Sequence, residues 1–230
     1  MVIKGTEIEA AILFADISGF SSRTAELSPA ATLIFANHFF TWITSEALKG
    51  SPCIIDKYIG DEVMVVFSEE FGSNDSFVDA VQTARRIAED DAWSFRPHIG
   101  IAKGPVIVGN VGTSLMQNCS VFGSTVSLAS RCAGIRPPNG RYGSIVFPSH
   151  LWEGQSFDRV FPPRTIVFPD GQRQLEPVGW TMGSPVKEVL KGIGEVELAC
   201  IEKTVGHYPS QSAEARAVET YERLRGKGRQ

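Results

Sequence analysis

Four absences constrain this chain before any motif is read. No apolar run approaches the roughly 18 residues that a membrane-crossing helix needs, so no membrane association is expected. The amino terminus, MVIKGTEIEA, sets Glu7 and Glu9 where a secretory leader would carry its apolar stretch. The four cysteines (Cys53, Cys119, Cys132 and Cys200) lie far apart without a C-x-x-C pair. That argues against a zinc site and for free thiols of a cytoplasmic protein. Net positive charge is missing too: 22 Lys+Arg against 26 Asp+Glu leaves −4, so no global field draws in a long nucleic acid. There is no internal repeat and no low-complexity linker.

What remains is an ordinary globular composition, 43% hydrophobic and 21% charged over 230 residues, long enough for one sizeable core or two small ones. The run AAILFA (10–15) reads as a buried strand ending at Asp16. Ser28-Pro29 opens a helix, with Ser as N-cap and Pro at the first helical position, and Gly50 closes it. Its apolar face carries Phe35, Phe39, Trp42 and Ile43. CIIDKYI and EVMVVF flank Gly60-Asp61 as a hairpin. A helix follows over 76–88, then strands at 98–102 and 105–109 joined by Lys103-Gly104, and a helix from 123–124 to Ala133. Strand-like pieces stand at 144–147, 165–168 and 196–202, Asp170-Gly171 marks another hairpin, and one helix is expected over 213–224 in an otherwise polar tail. The mixture predicts a single α/β domain, more closely α+β, with a largely antiparallel sheet.

Asp16 ends a strand and Asp61 sits at a hairpin tip. If that strand lies beside that hairpin, both carboxylates emerge at one sheet edge, as hard divalent cations require. Taken alone, the pair reads equally well as two turn residues. The four histidines (His38, His98, His150 and His207) are scattered singly and read as packing or surface residues. Phe39, Phe40 and Trp42 read as helix core, Phe122 as core or as the border of a base, and the basic end 223–229 as a solvated tail.

Five segments, in order, carry a resemblance: FADISGF (14–20), KYIGDEVMVVF (57–67), HIGIAKGPVIVGNVG (98–112), VFGSTVSLASR (121–131) and KGIGE (191–195). Together they resemble the class III nucleotidyl cyclases, the adenylyl and guanylyl cyclase catalytic domain, across about residues 8–203. The resemblance implies a ferredoxin-like palm domain over 1–203, a central mostly antiparallel sheet flanked by helices, followed by a short tail at 204–230. It implies a reaction in which the ribose 3′-hydroxyl of a nucleoside triphosphate attacks the α-phosphate and pyrophosphate leaves. Two Mg²⁺ or Mn²⁺ ions per site would divide that work. Asp16 and Asp61 then match the metal aspartates, with Ile17 completing the metal motif. Ser18, Gly19, Phe20 and Ser21 match the triphosphate loop, Arg131 the transition-state arginine, Lys191 the triphosphate lysine and Lys57 the base-reading lysine. The family's sites are composite, so a homodimer is implied, and a separate receptor for the cyclic nucleotide is expected.

The sequence departs from the pattern twice. The ribose-orienting Asn four residues before the arginine is Ser127, and the base-pocket aspartate is Ser120. Lys57 excludes the guanylyl pattern. Lysine and serine together suit uracil at least as well as adenine, and the chain also looks like the stand-alone bacterial pyrimidine cyclases of antiphage defence. The sequence therefore predicts UTP as substrate, with ATP as alternative. A catalytically degenerate nucleotide binder is the third reading, and a diguanylate cyclase, given I-G-D-E-V in place of G-G-D-E-F, ranks last.

Overall fold

The computed structural model describes residues 5–89, 93–112, 117–176, 179–205 and 211–227. The chain runs β1 (Gly5–Asp16), α1 (Phe20–Thr24), α2 (Pro29–Trp42), β2 (Cys53–Ile59), β3 (Glu62–Phe67), α3 (Ser76–Glu89), β4 (His98–Gly112), β5 (Gln117–Phe122) and α4 (Ser124–Ala133). It continues through β6 (Ser144–Pro148), α5 (Phe157–Val160), β7 (Arg164–Val167), β8 (Arg173–Glu176), β9 (Trp180–Met182), β10 (Val186–Leu190), β11 (Gly194–Lys203) and α6 (Ala213–Lys227). The main sheet has the order β10-β11-β6-β4-β1-β3-β2, with β5 on β4 and β9 on β11, while β7 and β8 pair apart as a hairpin. Every pairing is antiparallel except β4 with β6. The expected α+β fold, a mostly antiparallel sheet flanked by helices, is the one observed.

The middle of β1 (10–15) and β3 from 63 to 67 are apolar at every position because both faces are covered there. On β1, Ala11, Leu13 and Ala15 face one cluster with Phe35, Phe39 and Trp42 of α2 and Phe77, Val81 and Ala84 of α3. The alternate residues Ile8, Ala10, Ile12 and Phe14 face a second cluster against α4. On β4, Gly100 is what lets α4 lie on the sheet: a Cβ there would stand 2.1 Å from the Ala133 nitrogen and 2.2 Å from the Ala129 carbonyl.

Three elements differ from expectation. The pieces 98–102 and 105–109 are one continuous strand, because β4 pairs with β1 without a break from Asp16↔His98 to Gly5↔Gly109. Lys103-Gly104 is therefore mid-strand, and its turn-like composition is overridden by twelve paired positions on β1. The helix opened by Ser28, whose Oγ accepts from the Ala31 N–H, ends at Trp42 and passes through one π-helical turn, Ile43–Ala47, before Gly50. The tail helix is docked onto the domain: Ala213 and Ala217 belong to the main core, Glu214 pairs with Arg23 of α1, and the Arg216 guanidinium lies 4.5 Å from the Trp93 ring centre.

Candidate active site

β1 lies beside β3, Ala15 opposite Val63, so Asp16 at the end of β1 and Asp61 in the β2–β3 turn meet at one edge of the sheet. Asp16 is largely buried. Its Oδ2 accepts from the Arg136 guanidinium at 2.8 Å, and its Oδ1 is buried with no hydrogen-bond partner. Burial holds the Asp16 carboxyl above its ordinary range, Arg136 pulls it back, and Asp61 pushes it up again. Asp61 is raised by burial too, opposed by backbone N–H groups, Ile17 among them. The Ile17 side chain is buried, so only its backbone can face this edge.

Glu62 joins the acidic group. Its carboxyl is raised by burial and then by the charges of Asp16 and Asp61. A raised carboxyl binds its proton more tightly in the folded chain than in the unfolded one. The stability this confers is present at acid pH and lost as pH rises past the ordinary value of 4.5 towards the folded one. Glu62→Gln should therefore raise the melting temperature near neutral pH and leave it unchanged near pH 4. Thermal unfolding at the two pH values measures this, and equal shifts at both would refute it.

An orphaned buried carboxylate oxygen beside a second carboxylate is what a divalent cation would satisfy, so these residues fit the metals the family implies. Among the described residues no cluster of three side-chain ligands forms. Asp16, Asp61 and the Ile17 carbonyl would hold a cation completed by water and substrate phosphates, the habit of Mg²⁺.

Leaving β1, the chain turns at Gly19, which is left-handed (φ 65°) and supplies the cap of α1. Ser18, Gly19, Phe20 and Ser21 thus lie directly beyond Asp16, and Phe20 packs on Phe35 with ring centres 6.0 Å apart. Ser18 Oγ is 3.2 Å from Nε2 of His98, whose Nδ1 is 2.8 Å from Ser144 Oγ. Burial, and secondarily Arg136, lower the His98 imidazole to about 4, so it is neutral at physiological pH.

The second group of candidates gathers on β2 and β5. Lys57 Nζ donates to Ser120 Oγ and lies 5.7 Å from the Phe122 ring centre. Phe122 is 43% exposed, so it is not a core residue. A third residue completes this group: Asp56, whose Oδ2 is 3.0 Å from Lys57 Nζ and accepts from Ser120 Oγ at 3.0 Å.

Ser127 and Arg131 lie one turn apart on the exposed face of α4, opposite the buried Thr125, Ala129 and Cys132. Lys191 is at the exposed turn between β10 and β11. The sheet register puts this turn at the opposite end from Asp16, since Asp16 is level with His98, Ser144 and Glu202, and β11 runs from there back to Gly194. At about 3.3 Å per residue that run is on the order of 25 Å. One chain does not bring Lys191 to Asp16.

Three site neighbours escape sequence reading. Arg136 stands between the end of α4 and Pro137-Pro138 and carries no motif. His98 reads from the sequence as a packing or surface residue. Asp56 did carry a signal, the one acid, beside Lys57, in a strand run that is apolar elsewhere. His207 lies outside the described residues.

The sheet, the acidic edge and the loop after β1 form one α+β domain with two carboxylates at the end of its central strands. The sequence model of the adenylate and guanylate cyclase catalytic domain matches residues 3–135, and the chain belongs to that family. It is 29% identical over 141 residues to the adenylate cyclase of Anabaena cylindrica, covering 56% of this chain and 28% of that protein. To the receptor-type guanylate cyclase Gyc76C of Drosophila melanogaster it is 30% identical over 130 residues, 52% of this chain and 8% of that one. It thus spans under a third of either relative. Among solved structures, the adenylyl cyclase CyaB from P. aeruginosa superposes with a TM-score of 0.64 at 19% identity, covering 91% of this chain and 100% of that one. The guanylyl cyclase Cya2 gives 0.63 at 20% identity, covering 91% and 98%. None of the helices among the described residues is long and apolar enough to cross a membrane.

Proposed function

We propose that this chain is a nucleotidyl cyclase that converts a nucleoside triphosphate, UTP by our reading, into the 3′,5′-cyclic nucleotide and pyrophosphate. The observation that carries the reaction class is the buried Asp16–Asp61 edge with its unpartnered Oδ1. Bound there, Mg²⁺ or Mn²⁺ supplies a lowered pKa for the attacking hydroxyl and charge neutralisation for the phosphates. The loop of Ser18, Gly19, Phe20 and Ser21 lies where the triphosphate would enter, with Ser18 held by neutral His98. Arg131, planar and charged at any pH, is suited to the charge that grows on the transferring phosphoryl oxygens.

The working unit in this reading is a homodimer. Lys191 stands the length of β11 away from the acidic edge of its own chain, and Ser127 and Arg131 lie on the solvent-exposed face of α4, where a second copy would take them up. An apolar strip supports such an interface: Ile54, Ile55, Tyr58, Val111 and Phe122 are each more than a third exposed, beside Lys57 and Ser120. UTP is favoured by a lysine donor and a serine hydroxyl, which suit the two carbonyls of uracil. ATP is the second reading, favoured by the Asp56 carboxylate beside Lys57, since adenine offers an amine and a ring acceptor side by side. The product would be a diffusible signal for a separate receptor, in antiphage defence if the likeness to pyrimidine cyclases extends to biology.

Incubating the purified protein with ATP, GTP, CTP or UTP and Mn²⁺, and identifying products by mass, tests the reading. Cyclic UMP is the expected main product. Cyclic AMP alone would replace the first base assignment by the second, and no cyclic product from any of the four would overturn the cyclase reading.

A further inference from the structure

The geometry points to Asp56, which lies just outside the five matching segments, as the carboxylate that reads the base. We infer that its free oxygen accepts a hydrogen bond from an N–H on the Watson–Crick edge of the nucleotide, with a charge that Ser120 lacks. This rests on the reading that Lys57 and Ser120 face the base.

In a regular strand, neighbouring residues point to opposite faces, so Asp56 and Lys57 would diverge. Here the register slips: Ile55 pairs with Val65 and Lys57 with the next residue, Met64, which makes Asp56 the extra residue of a β-bulge. Bulges re-aim side chains, and this one brings Asp56 and Lys57 together against Ser120 of β5. The cost of placing it there is considerable. Aspartate is poorly suited to strands, and this carboxylate side chain is only 5% exposed among exposed apolar neighbours. An ion pair with lysine at an open edge would stabilise the fold by little, so stability alone does not account for a buried acid in β2.

The chemistry of the group is complementary to a base edge. Lysine can only donate and a carboxylate can only accept. Among the described residues the contacts of Asp56 fall on Oδ2, which leaves Oδ1 with lone pairs for a ligand. The serine hydroxyl both accepts from Lys57 and donates to Asp56, so at rest the three close on one another. An incoming base with an N–H beside an acceptor replaces the serine in that circuit: its N–H meets Asp56 and its acceptor meets Lys57. A base that presents its donor and acceptor in the reverse order sets an acceptor against the carboxylate and leaves it unpaired, which is how a polar pocket discriminates.

Competition between a fluorescent triphosphate and each unlabelled 3′-deoxynucleoside triphosphate, with Mn²⁺, reads binding without turnover. Asp56→Asn should weaken the preferred nucleotide by roughly 10–100-fold, the range for a hydrogen bond to a charged group, and the other three by less than about threefold. Independently of any variant, methylating the relevant N–H of the preferred nucleotide should cost the wild-type protein a similar factor, and Asp56→Asn should be indifferent to that methyl group. Equal weakening of all four nucleotides, an unchanged base order in Asp56→Asn, or no base preference in the wild type would each overturn the inference. Because binding is measured without the attacking hydroxyl, a base-selective pocket in a protein that makes no cyclic product would leave Asp56 assigned while the cyclase reading failed.

Discussion

Asp16→Asn and Asp61→Asn each lower product formation by at least roughly 10³-fold, the scale lost when the main stabiliser of developing charge is removed, while the dimer persists on gel filtration. The two substitutions act differently on the empty site. Asp61→Asn keeps an amide oxygen for the backbone N–H groups that Asp61 now receives, and removes a charge that raises its neighbour Asp16. Asp16→Asn also breaks the 2.8 Å pair with Arg136, so it should be the less stable of the two. Mn²⁺ should raise the melting temperature of the wild type and lose that effect in both variants. Wild-type turnover in either variant would remove the metal assignment.

Arg131→Ala lowers kcat by roughly 10³-fold with little change in KM, because an arginine that acts on the transferring phosphoryl group contributes in the transition state. Its fold should be unaffected, since Arg131 is exposed on α4. The decisive form of the test mixes chains. Asp16→Asn supplies Arg131, Arg131→Ala supplies Asp16, and one of the two sites in each mixed dimer is then whole. Equal mixing should restore about a quarter of wild-type activity if the two-fold symmetric dimer has composite sites. No recovery, from variants that exchange subunits, would place all of these residues in one chain's own site.

Local signals read well where local physics decides. The strand ending at Asp16, the Ser28 cap, the Gly60-Asp61 turn and the docked face of α2 were legible because periodicity, caps and turn chemistry act over a few residues. The 98–112 strand was cut in two because Lys103-Gly104 looks like a turn; only the length of β1 beside it overrides that look. Asp56 was passed over because alternation assigns it to the face away from Lys57, and a bulge is invisible without the partner strand. Arg136 reaches Asp16 from 120 positions along the chain, a separation that no window covers.

The sequence by itself determined the family, the identity of the two aspartates and the order of the motifs, since each is written in contiguous residues. Tertiary structure decided which groups share a site. It joined Asp56, Lys57 and Ser120, tied Arg136 to Asp16, docked α6 onto the core, and separated Lys191 from the acidic edge by the length of β11. The reason is physical: a residue type and its immediate neighbours fix local backbone preference, whereas hydrogen-bond register and burial are settled only when distant strands pair.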